Sequence, residues 1–169
     1  MYEVRSSYTE DSMQARMKKY PLPENQVRHI LTTESVGRLA TIGIDGYPYV
    51  TPVHFVHREG KIFIHGLAAG EKLMNLKNRP MVGFEVEKMF SLVHDDERPC
   101  GTNTEYESVI IKGNAAMVED VQKKSAVLDA IVAKYTPQHV GRPYPPNMLR
   151  MTGVIEITIQ SCTGKYYPA

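Results

Sequence analysis

The stretch Val36-Gly37-Arg38-Leu39-Ala40-Thr41-Ile42, Gly43-Ile44-Asp45-Gly46, Tyr47 through His57, Arg58-Glu59-Gly60, Lys61-Ile62-Phe63-Ile64-His65 decides the fold. It reads as strand, turn, strand, turn, strand. Asp45-Gly46 is a strong hairpin signal, because a two-residue turn needs residues that accept positive φ. Glu59-Gly60 has the same character. Pro48 and Pro52 place the second strand at an edge or a bulge, since proline has no N–H for a ladder. Three strands joined by tight turns make an antiparallel meander.

The chain then turns at Gly66-Leu67-Ala68-Ala69-Gly70 into a helix expected from about Glu71 to Lys77, stopped by Asn78-Arg79-Pro80. A histidine thus ends a strand, and Lys72 sits in the first turn of a helix. That helix start offers unpaired N–H groups and a positive dipole end, which suits a phosphate. Gly70 allows close backbone approach, and Lys72 adds a full charge to the half charge of the dipole. These residues point to a phosphorylated cofactor with His65 near its reactive part.

Further along, Met81 to Glu87 is a strand that Phe90 to His94 extends or pairs with, and Asp95 to Pro99 is a solvated loop. Glu107 to Val118 is a long strand with a bulge or close approach at Gly113. Val121, Val127, Leu128, Ile131, Val132 and Tyr135 form one apolar helical face. Residues 141–146 are an irregular, proline-rich loop. Ile155, Ile157 and Ile159 alternate with Glu156, Thr158 and Gln160 in the last strand. Upstream, a short helix runs from Pro23 through Thr33, with Val27, Ile30 and Leu31 on one face. Six or more mostly antiparallel strands with a few helices predict a mainly β fold, a small barrel with peripheral helices. Residues 1–20 read as an arm packing on the domain or on a partner subunit, and 21–169 as the barrel domain.

Bulk properties bound the function. The chain has 169 residues, 42% hydrophobic content and a net charge of +1. That is a globular composition, and it argues against electrostatic binding to nucleic acid or a membrane surface. No apolar run approaches the ~20 residues of a membrane span, and the N-terminus lacks a secretory apolar core. Cys100 and Cys162 make no disulfide framework, so a reduced, cytoplasmic protein is expected. No metal site is expected: His54 and His57 point to opposite faces of one strand, and the polar cluster His94 to Glu97 faces water. Walker, nucleophile-elbow and dinucleotide glycine motifs are absent.

Five segments occur in a recognisable order: Gly37 to Thr41, Gly46 to Val53, Ile62 to Gly66, Gly70 to Leu73, and Tyr106 to Ile110. With Thr163-Gly164-Lys165 near the end, they resemble the flavin-binding split-barrel proteins related to pyridoxamine 5′-phosphate oxidase. Within that family the chain is most similar to the nitroimidazole-resistance branch. The resemblance implies a six-stranded antiparallel split barrel that forms a homodimer, with FMN held between the subunits. It implies that Pro52, Val53, His54 and Phe55 border the flavin, and that Ile64, His65 and Gly66 lie beneath its ring. Gly70, Glu71 and Lys72 match the phosphate-binding segment, where the oxidases proper carry Ser-Arg-Lys and only the lysine remains here. The resemblance further implies Arg38 as an additional phosphate contact and Ser108 as a polar contact from the other subunit. His65 matches a histidine of the nitroimidazole-resistance branch. A ring with a pKa near 6.5 is suited to deliver a proton during nitro reduction.

The expectation is therefore an FMN-dependent oxidoreductase acting on small nitro or quinone-like compounds. Two alternatives stay open: a non-catalytic binder of flavin, or of haem through His65, and an oxidase of pyridoxamine phosphate. The last is disfavoured by the missing Ser-Arg pair.

Overall fold

A computed structural model of the protein describes residues 18–168. The elements are α1 (Glu24–Thr33), β1 (Gly37–Ile42), β2 (Pro48–Val53), β3 (Phe55–Arg58), β4 (Lys61–Leu67), α2 (Glu71–Asn78), β5 (Met81–Val93), β6 (Asn103–Met117), α3 (Val121–Tyr135), α4 (Pro146–Met151) and β7 (Thr152–Tyr167). The seven strands form one sheet in the order β2-β1-β5-β6-β7-β4-β3. All their pairings are antiparallel.

The sheet has seven strands rather than the six the family resemblance implies. The run from Tyr47 to His57 is two strands, not one, and it breaks at His54. β2 and β3 are the two edges of the sheet, yet only His54 separates them in sequence. Two residues of chain span at most about 7 Å, so the edges meet there and the sheet rolls into a barrel with a seam. Tyr135 clamps that seam. Its hydroxyl accepts from the Phe55 N–H at 2.9 Å. It lies 2.9 Å from the carbonyl oxygens of both Ser35 and Phe55, one of which takes its proton.

Turn chemistry follows the sequence. Glu59 and Gly60 both have positive φ, 51° and 72°, and connect the Arg58–Lys61 pair as a two-residue hairpin. The β1–β2 connection is longer than the two-residue turn that Asp45-Gly46 suggests: five residues, Gly43–Tyr47, lie between the Ile42–Pro48 pair, only Gly46 has positive φ (88°), and the Gly43 N–H donates to the Tyr47 carbonyl at 2.8 Å. At Gly113 the β6–β7 register shifts, as expected of a bulge. A Cβ there would stand 2.5 Å from the Thr158 carbonyl oxygen, so only glycine fits.

Two apolar layers result. Inside the barrel, Leu39, Phe55, Ile62, Ile64, Phe84 and Ile111 are fully buried or nearly so, with Phe55 and Phe84 edge to face at 5.1 Å. Outside it, Val127, Leu128 and Ile131 of α3 cover Val56, Phe63 and Val154. Val121, expected on that helical face, is 69% exposed at the start of α3. The proline-rich loop ends in α4, a helix the sequence reading did not foresee; Pro146 occupies its first position, where proline loses no hydrogen bond.

Most of the expected arm lies outside the described residues. Its end adds to the edge of β7: the Leu22 N–H donates to the Gly164 carbonyl at 3.0 Å, and the Tyr166 N–H donates to that of Tyr20 at 3.1 Å. A Cβ on Gly164 would stand 2.8 Å from both Leu22 and Val27, which explains the glycine of Thr163-Gly164-Lys165.

Candidate functional site

The end of β4 and the start of α2 bring three of the expected residues together. Gly70 caps α2 with φ 128° and ψ 170°, a region open essentially to glycine alone. Its carbonyl accepts from the N–H groups of Leu73 and Met74, both at 3.1 Å. The amides of Glu71 and Lys72 precede those first bonds and face outward from the helix start. The Lys72 ammonium reaches back over β4, 3.7 Å from where a Cβ on Gly66 would lie. A cation and a helix N-terminus thus belong to one turn, two features that favour an anion. Glu71 lines a hollow with Gly43, Ile44 and Asp45.

His65 lies on the opposite face of β4 from the Gly66 position that Lys72 covers, because neighbouring strand residues alternate. It is paired in register with Val154. Its ring is stacked 6.5 Å from that of His54, which stacks in turn on Tyr135 at 4.4 Å. Burial, and secondarily the neighbouring His54, hold the His65 pKa below the ordinary imidazole value, so the ring is neutral at pH 7. His65 Nδ1 is buried without a hydrogen-bond partner, as is Thr51 Oγ1 on β2. Each is a buried polar atom that a bound ligand can satisfy.

The other expected residues are distributed as follows. Phe55 and Ile64 are fully buried in the barrel core. They offer backbone only, and both main-chain groups of Phe55 already meet Tyr135. Val53 packs against the same core, whereas Pro52 is exposed on β2. Arg38, the register partner of Pro52, is ion-paired with Glu85 at 2.9 Å and Glu87 at 3.1 Å on β5. Ser108 is buried on β6 opposite Glu87 and Lys165. It stands nine residues from Met117, which pairs beside the partner of His65, or about 30 Å along the strand. Within one chain Ser108 does not reach His65 or Lys72.

Sequence reading missed Tyr135, Thr51 and Lys134. Tyr135 was legible only as part of an apolar helical face, because its contact with His54 joins positions 81 residues apart. Lys134 Nζ is buried without a hydrogen bond, 3.9 Å above the Phe55 ring, and desolvation lowers its pKa to about 8. No group of three or more His, Cys, Asp or Glu side chains is placed to hold a metal among the described residues. No described helix is long and apolar enough to cross a membrane.

The geometry makes a direct prediction. Gly70→Ala is expected to destabilise the turn by about 1–3 kcal/mol, since alanine is strained at this φ whatever the space around it. Thermal unfolding measures this; an unchanged midpoint would show that the turn relaxes without cost.

Residues 23–166 match the family model described as pyridoxamine 5′-phosphate oxidase. No curated protein matches the chain. Solved structures resemble it at low identity. One, provisionally named a 5-nitroimidazole antibiotic resistance protein, comes from Bacteroides thetaiotaomicron; it is 22% identical over 85% of this chain and 84% of that one, with a TM-score of 0.75. The flavocytochrome Anf3 from Azotobacter vinelandii is 20% identical over 95% of this chain and 75% of its own, with a TM-score of 0.82. An FAD and haem binding protein from Mycobacterium smegmatis is 18% identical over 87% and 72%, with a TM-score of 0.79.

Proposed function

The chain belongs to the pyridoxamine 5′-phosphate oxidase family, and from that membership we propose that it is a flavin-binding oxidoreductase that reduces small nitro or quinone-like compounds. The observation that carries this reading is the Lys72 ammonium folded over Gly66 at the open N-terminus of α2. The site suits the phosphate of FMN, the smallest flavin that has one. The buried, unpaired Thr51 Oγ1 and His65 Nδ1 are polar atoms of the kind a heterocycle rather than an aliphatic ligand satisfies. A bound flavin supplies the redox chemistry. The protein's part is to bind the phosphate through Lys72 and the α2 amides, and to hold a proton at His65.

We further propose a homodimer with the cofactor at its interface. Val50, Met81 and Ile110 are exposed on the outer face of the sheet, and Met89, Phe90 and Leu92 are exposed toward the far end of the β5–β6 hairpin. Apolar exposure on this scale fits a subunit contact. A second copy also gives Ser108 a way to a flavin that its own chain denies it.

Haem ligation through His65 is the second reading. A neutral imidazole favours it. Against it, the second nitrogen of a ligating histidine usually donates to an orienting acceptor, and His65 Nδ1 has none. The absorbance spectrum of the purified protein decides: flavin bands near ~450 nm are expected, and a Soret band without them would replace flavin by haem. Sedimentation of the loaded protein tests the dimer, and a flavin-loaded monomer at micromolar concentration would reject it.

A further inference from the structure

Three near-parallel rings follow one another at the seam. Tyr135 is the last residue of α3, His54 is the single residue between β2 and β3, and His65 lies on β4. The His54 ring is seated on Tyr135, with centroids 4.4 Å apart and planes 23° apart. From His54 to His65 the separation is 6.5 Å and the planes differ by 25°. His54 is therefore the ring common to both contacts. Its seat is fixed: the Tyr135 hydroxyl is held by the Phe55 N–H and by the Ser35 and Phe55 carbonyls, and Phe55 directly follows His54. Backbone and ring of His54 are thus held by one side chain. Burial raises the Tyr135 pKa above its ordinary value, so the phenol under His54 is uncharged at neutral pH.

We propose that His54 is a positioning residue for His65: seated on Tyr135, it sets the plane of the His65 imidazole and, through its own charge, when that ring takes a proton. The inference rests on the reading above in which His65 holds a proton. A histidine ring is usually oriented by a hydrogen bond at one nitrogen, which also fixes its tautomer. His65 Nδ1 has no such partner, so packing orients the ring, and His54 is stacked on it. The electrostatics points to the same neighbour. Burial lowers the His65 pKa and the charge of His54 lowers it further. The other charges on the surrounding elements are engaged elsewhere. Val154, the β7 partner of His65, is apolar, and Glu156, two positions along that face, is closed by Lys61 and Lys123. The Lys134 ammonium stands over the Phe55 ring, and that of Lys72 covers the opposite face of β4 at Gly66. His54 is exposed and exchanges protons with solvent, whereas His65 is half-buried. Two imidazoliums this close repel, so the pair takes its first proton more readily than its second.

Titration of the histidine Cε1–H signals of the purified protein by NMR tests this in the parent, H54F and H54A, with H65A assigning the His65 signal. Phenylalanine keeps a flat ring on Tyr135 and removes the charge; alanine removes both. Expected in the parent is a His65 curve that bends where His54 titrates. In H54F it should become a single step displaced to higher pH, because the neighbouring charge that lowered it is gone. Turnover of a nitro compound per bound flavin should fall about tenfold or more in H54A, where the His65 ring is free to tilt; a misplaced group can cost about 10²-fold. H54F should recover part of that loss. A His65 curve that is the same in parent, H54F and H54A overturns the inference, and a turnover loss accompanied by it and by a lowered unfolding midpoint assigns His54 to holding the seam alone. Parent-like turnover in H65A removes the proton reading and the inference together. A slow H65A with an unmoved His65 curve in H54F overturns the inference alone.

Discussion

Lys72→Ala is expected to weaken FMN binding about tenfold to hundredfold, while riboflavin binds the variant and the parent almost equally. The prediction follows from position. Lys72 sits in the first turn of α2 with its ammonium over Gly66, and in the proposed function the helix end and this full charge act on one phosphate. A charge-assisted contact contributes about 1.5–3 kcal/mol, which sets the range. The site is partly open to solvent, so salt should reduce the difference between parent and variant. Titration by flavin fluorescence at low and moderate ionic strength reads all of this. Unchanged FMN affinity would remove Lys72 from the site. An equal loss for riboflavin would mean that the side chain supports the turn rather than the phosphate.

His65→Ala is expected to retain flavin and to slow flavin-dependent nitro reduction by about 10²-fold or more, the scale of a positioned acid. The structure adds a pH signature. Burial and His54 hold the His65 pKa below 6.5, so at pH 7 less than about a quarter of the rings carry the proton. If the imidazolium is the donor, turnover per bound flavin rises as pH falls through 6.5 and levels off only below the lowered pKa. The variant should lose this acid limb. The same shift has a stability consequence. The unfolded chain takes up the proton near pH 6.5 before the folded one does, so His65 contributes a loss of stability as pH drops from 6.5 toward the folded value. Reduction of a nitroimidazole by chemically reduced protein, measured per bound flavin between pH 5 and 8, checks the catalytic claim. Parent-like rates in the variant would reject it, and a flat pH profile in the parent would reassign His65 to packing.

Much of the barrel was legible because its signals are local. Glu59-Gly60 forms a two-residue hairpin and Asp45-Gly46 lies in a short reversal, and the Ile155, Ile157, Ile159 alternation shows a half-buried strand by its period. The bulge at Gly113 was likewise readable, since a glycine inside a strong strand pattern has few other reasons to be there. The helix start proposed to hold a phosphate was legible as a turn for a related reason: Gly70 and Lys72 are two residues apart, so sequence spacing nearly determines their geometry.

The rest is long-range. Nothing between Tyr47 and His57 reveals that the chain leaves one edge of the sheet at Val53 and enters the other at Phe55. That break is set by closure of seven strands and by a hydroxyl 80 residues away, at Tyr135. Phe55 and Ile64 match flavin-bordering positions by sequence, yet both side chains point into the core, because the alternation of β3 and β4 about the seam decides which face each takes. Arg38 reads as a free cation until Glu85 and Glu87 are brought beside it by the β1–β5 pairing. The sequence by itself determined the strand and turn grammar, the family and the placing of Gly70 and Lys72 on one helix start, all of which depend on neighbours within a few residues. Only the tertiary structure decided where the barrel opens, which of the matched residues face outward, and that His54 stacks between Tyr135 and His65, because each of those depends on how distant strands and helices pack.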